Sequence, residues 1–209
     1  MGKRQLYPEF LKYTRSIFDH LNDIPEKRKI DLARTAAYVH EQLKKKGMAK
    51  LIFICTHNSR RSHMGQIWAQ AAASFYEVEG IQTYSGGTEA TAFNPNAVKA
   101  MKAAGFRFKT DGNASNPIYT VSYASNQNPM KVFSKKYDDP SNPREDFCAI
   151  MTCSDADENC PIIPGAAFRV AITYEDPKAF DDTPEETKAY ADRCYQIGKE
   201  MFYLFNKVR

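Results

Sequence analysis

The sequence predicts an α/β domain: a three-layer sandwich around a four-stranded parallel sheet, preceded by an N-terminal helical hairpin. Three observations carry this prediction. Four short strand-like runs, at 51–54, 81–84, 147–152 and 168–172, are separated by stretches of helical period. The first of them, Leu51-Ile52-Phe53-Ile54, is continuously apolar, as expected of a strand covered on both faces. A chain of 209 residues, 43% hydrophobic and 26% charged, is long enough for one core plus an extension, which excludes wholesale disorder. The expected division is a helical extension over 1–48 and an α/β domain over 49–209.

Residues 9–21 place Phe10, Leu11, Tyr13, Ile17, Phe18 and Leu21 at helical spacing. Asn22-Asp23-Ile24-Pro25 ends that helix and starts another, with Asp23 as candidate cap. The second helix, 25–46, presents Ile30, Ala33, Ala37, His40 and Leu43 along one side, and Gly47 stops it. This hairpin carries no chemistry, so packing or a homodimer through its helices is the expected role. In the second part, helices are expected at 62–76, at 97–104 behind Asn94-Pro95, and at 185–206. Residues 109–146 are rich in Asn, Pro and Ser with short alternating pieces at 118–121 and 131–133, which predicts a hairpin or lid near the site. Trp68 reads as core, Cys148 and Cys194 as buried inert thiols, and His20 and His40 as surface residues.

The charge balance, 29 basic against 25 acidic residues, leaves +4. That suits a small anion and falls short of a nucleic-acid footprint. No apolar run is long enough to cross a bilayer. The opening MGKRQLYPEF has no apolar stretch behind its charges and Leu at position 6, so neither a secretory nor a myristoylation signal is expected. A cytoplasmic location is the expectation, and there cysteines are more often reactive than structural.

Chemistry concentrates in Cys55-Thr56-His57-Asn58-Ser59-Arg60-Arg61-Ser62, between the first strand and a helix. A loop entering a helix N-terminus turns several backbone N–H groups toward one point, where a tetrahedral oxyanion fits. The same field favours a thiolate at Cys55. Arg61, six residues on, can return a planar fork to the anion, and Ser62 can donate to the leaving thiolate. Residues 56–61 are therefore the candidate anion-binding residues. The alternative is a buried structural cysteine beside exposed arginines.

This segment resembles the loop Cys-x-Gly-Asn-x-x-Arg-Ser of the low-molecular-weight protein tyrosine phosphatases and the thioredoxin-coupled arsenate reductases, matching at Cys55, Asn58, Arg61 and Ser62. Tyr84-Ser85-Gly86-Gly87 and Asn94-Pro95 resemble the family's second strand and the helix start that follows. The resemblance covers residues 50–107 and 147–206 and implies the four-stranded phosphatase-like fold. Met151-Thr152-Cys153 through Cys160-Pro161 resembles the redox segment of the arsenate reductase branch. It implies that Cys153, on a mobile loop, attacks a thiol–arsenic adduct and that Cys160 takes over the disulfide for a thioredoxin-like dithiol reductant. Two incidental cysteines, or a metal pair short of further ligands, are the other readings.

The resemblance also implies an Asp-Pro general acid after the fourth strand, which assigns Asp176; Asp139, the other Asp before Pro, lies in the long loop, out of chain order. Asp181 and Asp182 read as surface or helix-start residues. The implied activity is arsenate reduction, with phosphomonoester hydrolysis through a phosphocysteine as the alternative. A non-catalytic anion binder is a third reading, because His57 stands where the family has Gly, so that either the loop shape differs or His57 bears strain there. Arg60 adds local positive charge and leaves no disulfide within the loop. Gln66 replaces a Glu that helps bind potassium in the reductase branch, so no metal and no cofactor are expected.

Overall fold

The computed structural model describes residues 5–110, 112, 114–160 and 162–209. In chain order their elements are α1 (Pro8–Asp19), α2 (Glu26–Lys46), β1 (Ala49–Cys55), α3 (Arg61–Phe75), β2 (Ile81–Gly87), α4 (Pro95–Ala103), β3 (Arg107–Thr110), β4 (Tyr119–Ser122), β5 (Met130–Val132), β6 (Phe147–Met151), α5 (Ser154–Asn159), β7 (Ala166–Ala171) and α6 (Glu186–Val208). The predicted parallel sheet forms in the order β2-β1-β6-β7. Successive β1 residues alternate between two apolar layers. Leu51 and Phe53 join the larger layer, and Ile52 and Ile54 face a thinner one with Met151, Ala156 and Ile163. Beyond β1 the chain turns to one side for β2 and later to the other for β6, so the loop after β1 opens at the point where the strand order reverses, where α/β sheets bind ligands.

Most of α3 is buried, and Trp68 within it contacts the rings of Phe10, Phe106 and Phe202. The N-terminal helices share this layer through Phe10, Ile17, Leu32 and Val39, all fully buried. The buried face of α2 differs from the expected one. Leu32, Thr35, Ala36 and Val39 point inward, whereas Ala33, Ala37 and His40 are exposed and Ile30 is 62% exposed. The two stripes lie about 100° apart, one residue step round the helix. Leu32 and Val39 bury more apolar area than Ala33 and Ala37, and that decides the rotation. Asp23 does not cap α2, whose N-cap is Pro25; its carboxylate instead pairs with His20 Nδ1 at 2.7 Å.

The long insertion is a three-stranded antiparallel sheet, β3-β4-β5, which adds β3 to the expected hairpin. Residues 5–7 fasten onto it: Tyr7 N–H donates to Tyr123 O at 3.0 Å and Ser125 N–H to Gln5 O at 2.9 Å. Where a cysteine-bearing loop is expected after the third core strand, the helix α5 stands, with the Cys153 thiol as N-cap accepting from Ala156 N–H. Asp155 and Asp157 lie in its first turn, where carboxylates complement the helix dipole.

The face assignment of α2 is testable by urea unfolding. Leu32→Ala is expected to lose about 2–4 kcal/mol through cavity formation, and Ile30→Ala to stay within about 0.5 kcal/mol.

Candidate active site

Cys55 ends β1, 3% exposed, and its Sγ lies 3.0 Å from Ser62 Oγ in the first turn of α3. The loop between them is held from outside. Thr88 N–H donates to Cys55 O, Glu89 N–H to Thr56 O, and Asn94 N–H to Ser59 O. Asn58 has a φ of 45°, a left-handed conformation that Asn accepts more readily than most residues. Its Nδ2 donates to Ser62 Oγ at 2.8 Å, and its Oδ1 accepts from Lys135 N–H at 2.9 Å. Because Ser62 Oγ already accepts from Asn58, the hydroxyl proton is left for Cys55 Sγ. Gly87 makes the close approach of β2 tolerable: a Cβ there would meet Thr56 O at 2.6 Å and Asn58 N at 2.7 Å. With their carbonyls tied outward, the backbone N–H groups of residues 56–60 have no protein acceptor among the described residues. They form a donor cradle at the α3 N-terminus.

Arg61 closes the cradle. It is 8% exposed, donates from one terminal nitrogen to Tyr174 O at 2.8 Å and from the other to Asp176 Oδ2 at 2.7 Å. Its buried Nε has no partner, so one donor of the fork is free for an anion. Arg60 stays at the rim of the cleft, held sideways: Nε donates to the Tyr190 hydroxyl at 2.7 Å and lies 3.9 Å from Asp176 Oδ1, and a terminal nitrogen donates to Asp181 at 3.2 Å. Behind Tyr174, Arg28 of α2 donates to Thr173 O at 2.5 Å, lies over the Tyr174 ring, and faces Glu200 Oε2 at 3.6 Å. Burial pushes the Glu200 carboxyl up, opposed by Arg28 and by the Tyr174 hydroxyl, which donates to it at 2.8 Å. The N-terminal helices therefore buttress the segment that carries Asp176.

Cys153 is fully buried, and its Sγ lies 3.5 Å from Thr56 Oγ1 on the cradle loop, in the same apolar layer as Cys55. Cys160, at the other end of α5, is partly exposed. Arg169 of β7 grips that end, donating to Asp157 Oδ1 at 2.6 Å and to Cys160 O at 3.1 Å.

The chain is 30% identical to the arsenate reductase of Bacillus subtilis (strain 168) over 152 residues, which is 72% of this chain and 91% of that relative. The chain belongs to the low-molecular-weight phosphatase and arsenate reductase superfamily. The "Arsenate reductase 2" of Staphylococcus epidermidis is 32% identical over 127 residues, 61% of this chain and 77% of that protein. Among solved structures, an arsenate reductase in a phosphate-binding state superposes with a TM-score of 0.51 at 19% identity, covering 78% of this chain and all of that one. A low-molecular-weight protein tyrosine phosphatase from T. tengcongensis superposes with a TM-score of 0.52 at 15% identity, covering 76% and 99%. These two show the shared fold. No family model matches the chain.

Within this superfamily fold, the structure brings together Cys55, residues 56–62, Asp176 and Cys153. The strain expected at His57 falls on Asn58 instead, and His57 has no positive φ. Its ring is half exposed at the rim, with Nε2 3.7 Å from Glu89. Asp139, the other Asp before Pro, accepts from the N–H and hydroxyl of Ser141, which hold its carboxyl below the ordinary range. Asp181 is more than a surface residue, since it bridges Arg60 and Tyr190. The bond from Arg60 to the Tyr190 hydroxyl and the contact of Lys135 with Asn58 have no local signature in the sequence, because each spans more than 70 positions. Gln66, which stands where the reductase branch has a potassium-binding Glu, donates to Thr83 O and leaves its buried Oε1 without a partner. The insertion lays Lys135 against the loop, its backbone N–H on Asn58 Oδ1, and burial pushes its ammonium down to about 8. Cys148 and Cys194 are fully buried, and burial pushes the Cys194 thiol up to about 12.

His63, directly after the loop, is fully buried against Phe93, with Nδ1 3.1 Å from Ser85 Oγ. Burial first, then Lys135, lowers it to about 3. The folded protein thus keeps His63 neutral, while the unfolded chain takes up a proton below pH 6.5. Its contribution to stability is complete above pH 6.5 and is lost as pH falls toward 3, by at most about 1.4 kcal/mol per unit. Urea unfolding at pH 7, 6, 5 and 4 is expected to show a shallower acid slope in His63→Asn than in the wild type.

Proposed function

We propose that the protein reduces arsenate to arsenite, with Cys55 as nucleophile and Cys153 and Cys160 as a disulfide relay. Arsenate sits on the amides of Thr56, His57, Asn58, Ser59 and Arg60 and on the free Nε of Arg61. Cys55 thiolate attacks arsenic, and Asp176 gives a proton to the departing oxygen, so that water leaves and a Cys55–arsenic bond forms. Cys153 thiolate then attacks Cys55 Sγ; the sulfur–arsenic electron pair stays on arsenic, which leaves as arsenite. Cys160 thiolate attacks Cys153 Sγ, releases Cys55 thiolate, and leaves a Cys153–Cys160 disulfide for a thioredoxin-like dithiol reductant. The reading needs resting thiols, which a cytoplasmic setting supplies; no helix among the described residues is long and apolar enough to cross a membrane. The proximity of Cys153 Sγ to the cradle loop carries the reading.

Asp176 and Arg61 must separate for this chemistry, because their pair leaves a cleft of about 10 Å³. The free protein therefore rests with Asp176 as a stand-in anion on Arg61. The final exchange imposes a second movement. Seven residues along a helix separate Cα atoms by about 10 Å, whereas a disulfide needs about 6.8 Å or less. Helix α5 must open before Cys160 reaches Cys153, and Arg169 is the latch on that end.

Phosphomonoester hydrolysis is the second reading, favoured by the same cradle, which needs neither Cys153 nor Cys160. Nothing on the N-terminal helices favours a homodimer through them: Phe10, Ile17, Leu32 and Val39 are fully buried in their own chain, and Phe18 packs on Phe75 and Phe202.

With a dithiol donor present, Cys160→Ser is expected to release one arsenite per chain and then stop; sustained turnover by that variant would contradict the relay. Cys153→Ser is expected to release none, and undiminished aryl phosphate hydrolysis by it, without arsenite formation in the wild type, would favour the phosphatase. Arg169→Ala is expected to speed formation of the Cys153–Cys160 bridge after arsenate addition, with the rate of the first arsenite release unchanged, as followed by acid quench and mass spectrometry.

A further inference from the structure

The cradle loop owes its shape to a segment of the insertion that the sequence leaves without a role. Residues 134–137 lie alongside the end of β2: Gly87 N–H donates to Lys135 O and Tyr137 N–H to Gly87 O, both at 2.9 Å. Within that segment Ser134 is 2% exposed. Its hydroxyl donates to His57 O at 3.2 Å and accepts from Thr91 N–H at 2.8 Å. The Thr91 hydroxyl reaches the same carbonyl at 3.1 Å. Asn116 fixes Ser134 with both atoms of its amide: Oδ1 accepts from Ser134 N–H at 3.1 Å, and Nδ2 donates to Ser134 O at 2.8 Å.

Two features of the cradle depend on these bonds. A peptide unit is planar and trans, so a His57 carbonyl held toward the insertion turns the Asn58 N–H to the opposite side, toward the anion. The neighbouring Lys135 N–H, by donating to Asn58 Oδ1, fixes which way the Asn58 amide faces. Nδ2 then points at Ser62 Oγ, and the Ser62 proton is directed to Cys55. Flipping the amide would set Oδ1 against Ser62 Oγ and take that proton from the thiolate. A left-handed Asn58 persists only where its surroundings over-determine it, and here they do so from both ends.

We propose that Ser134, clasped by Asn116, is a positioning residue for the oxyanion loop. It aims the Asn58 N–H at the bound anion and holds the Asn58–Ser62–Cys55 hydrogen-bond chain in its donor direction. The role is the same whether the anion is arsenate or a phosphate ester, so it stands apart from the choice of reaction. Inorganic phosphate is the probe.

The test measures how strongly inorganic phosphate protects Cys55 from iodoacetamide, together with the unprotected alkylation rate at fixed pH and the urea midpoint. Ser134→Ala is expected to weaken phosphate protection about 3- to 10-fold, the equivalent of one lost hydrogen bond, and to slow Cys55 alkylation. Ser134→Thr, which keeps the hydroxyl, restores both. Asn116→Ala gives a smaller change in the same direction and serves if Ser134→Ala does not fold. Lys131→Ala, on the exposed side of β5, changes neither. A lowered urea midpoint with unaltered phosphate protection and alkylation in Ser134→Ala or Asn116→Ala would overturn the proposal and reduce the clasp to packing.

Discussion

Everything in this molecule depends on one short piece of backbone being held open. The loop from Thr56 to Arg60 must turn its N–H groups toward a common point and leave them without acceptors, an arrangement that no segment adopts unaided. Its carbonyls are therefore tied outward, to Thr88, Glu89, Thr91, Asn94 and Ser134, and its tightest bend is given to Asn58. Gly87 allows β2 to come close enough to make those ties. The cradle, its helix N-terminus and Arg61 then form a concentrated positive site in which an oxyanion replaces several unsatisfied donors at once.

The parts of the chain outside the phosphatase-like core serve this same constraint from two sides. The insertion reaches His57 and Asn58 through Ser134 and Lys135. The N-terminal extension reaches the opposite wall, where Arg28 binds Thr173 and packs on Tyr174, whose carbonyl receives Arg61. Arg60, displaced onto Tyr190 and Asp181, ties the loop to α6 and to the segment after Asp176. The added elements thus hold both walls of the loop in place.

Much of this was legible from residue order. A continuous apolar strand, then Cys-x5-Arg-Ser, then a helix fixes the site at a strand's carboxyl end, and the sheet order β2-β1-β6-β7 places it at the reversal of that order. Local patterns failed where tertiary packing decides. The spacing of Ala33 and Ala37 marked a helix face that the larger Leu32 and Val39 override. His57 was the expected site of strain because it stands where relatives have Gly, yet the left-handed residue is its neighbour Asn58. The two cysteines read as a mobile loop became the caps of α5, since Cys153 and the acidic first turn satisfy a helix N-terminus. Ser134, Asn116 and Tyr190 act across long chain separations, which no spacing rule encodes.

In the proposed relay, two further thiols are what separates a reductase from a hydrolase built on the same cradle. One is buried beside the loop, and the other waits at the far end of a short latched helix. The most direct test mixes fully reduced protein with arsenate, without external reductant, and maps disulfides by mass spectrometry while arsenite is measured. The relay requires one arsenite per chain and a Cys153–Cys160 bridge with Cys55 again free. Free thiols throughout and no arsenite, with turnover of an aryl phosphate under the same conditions, would contradict it.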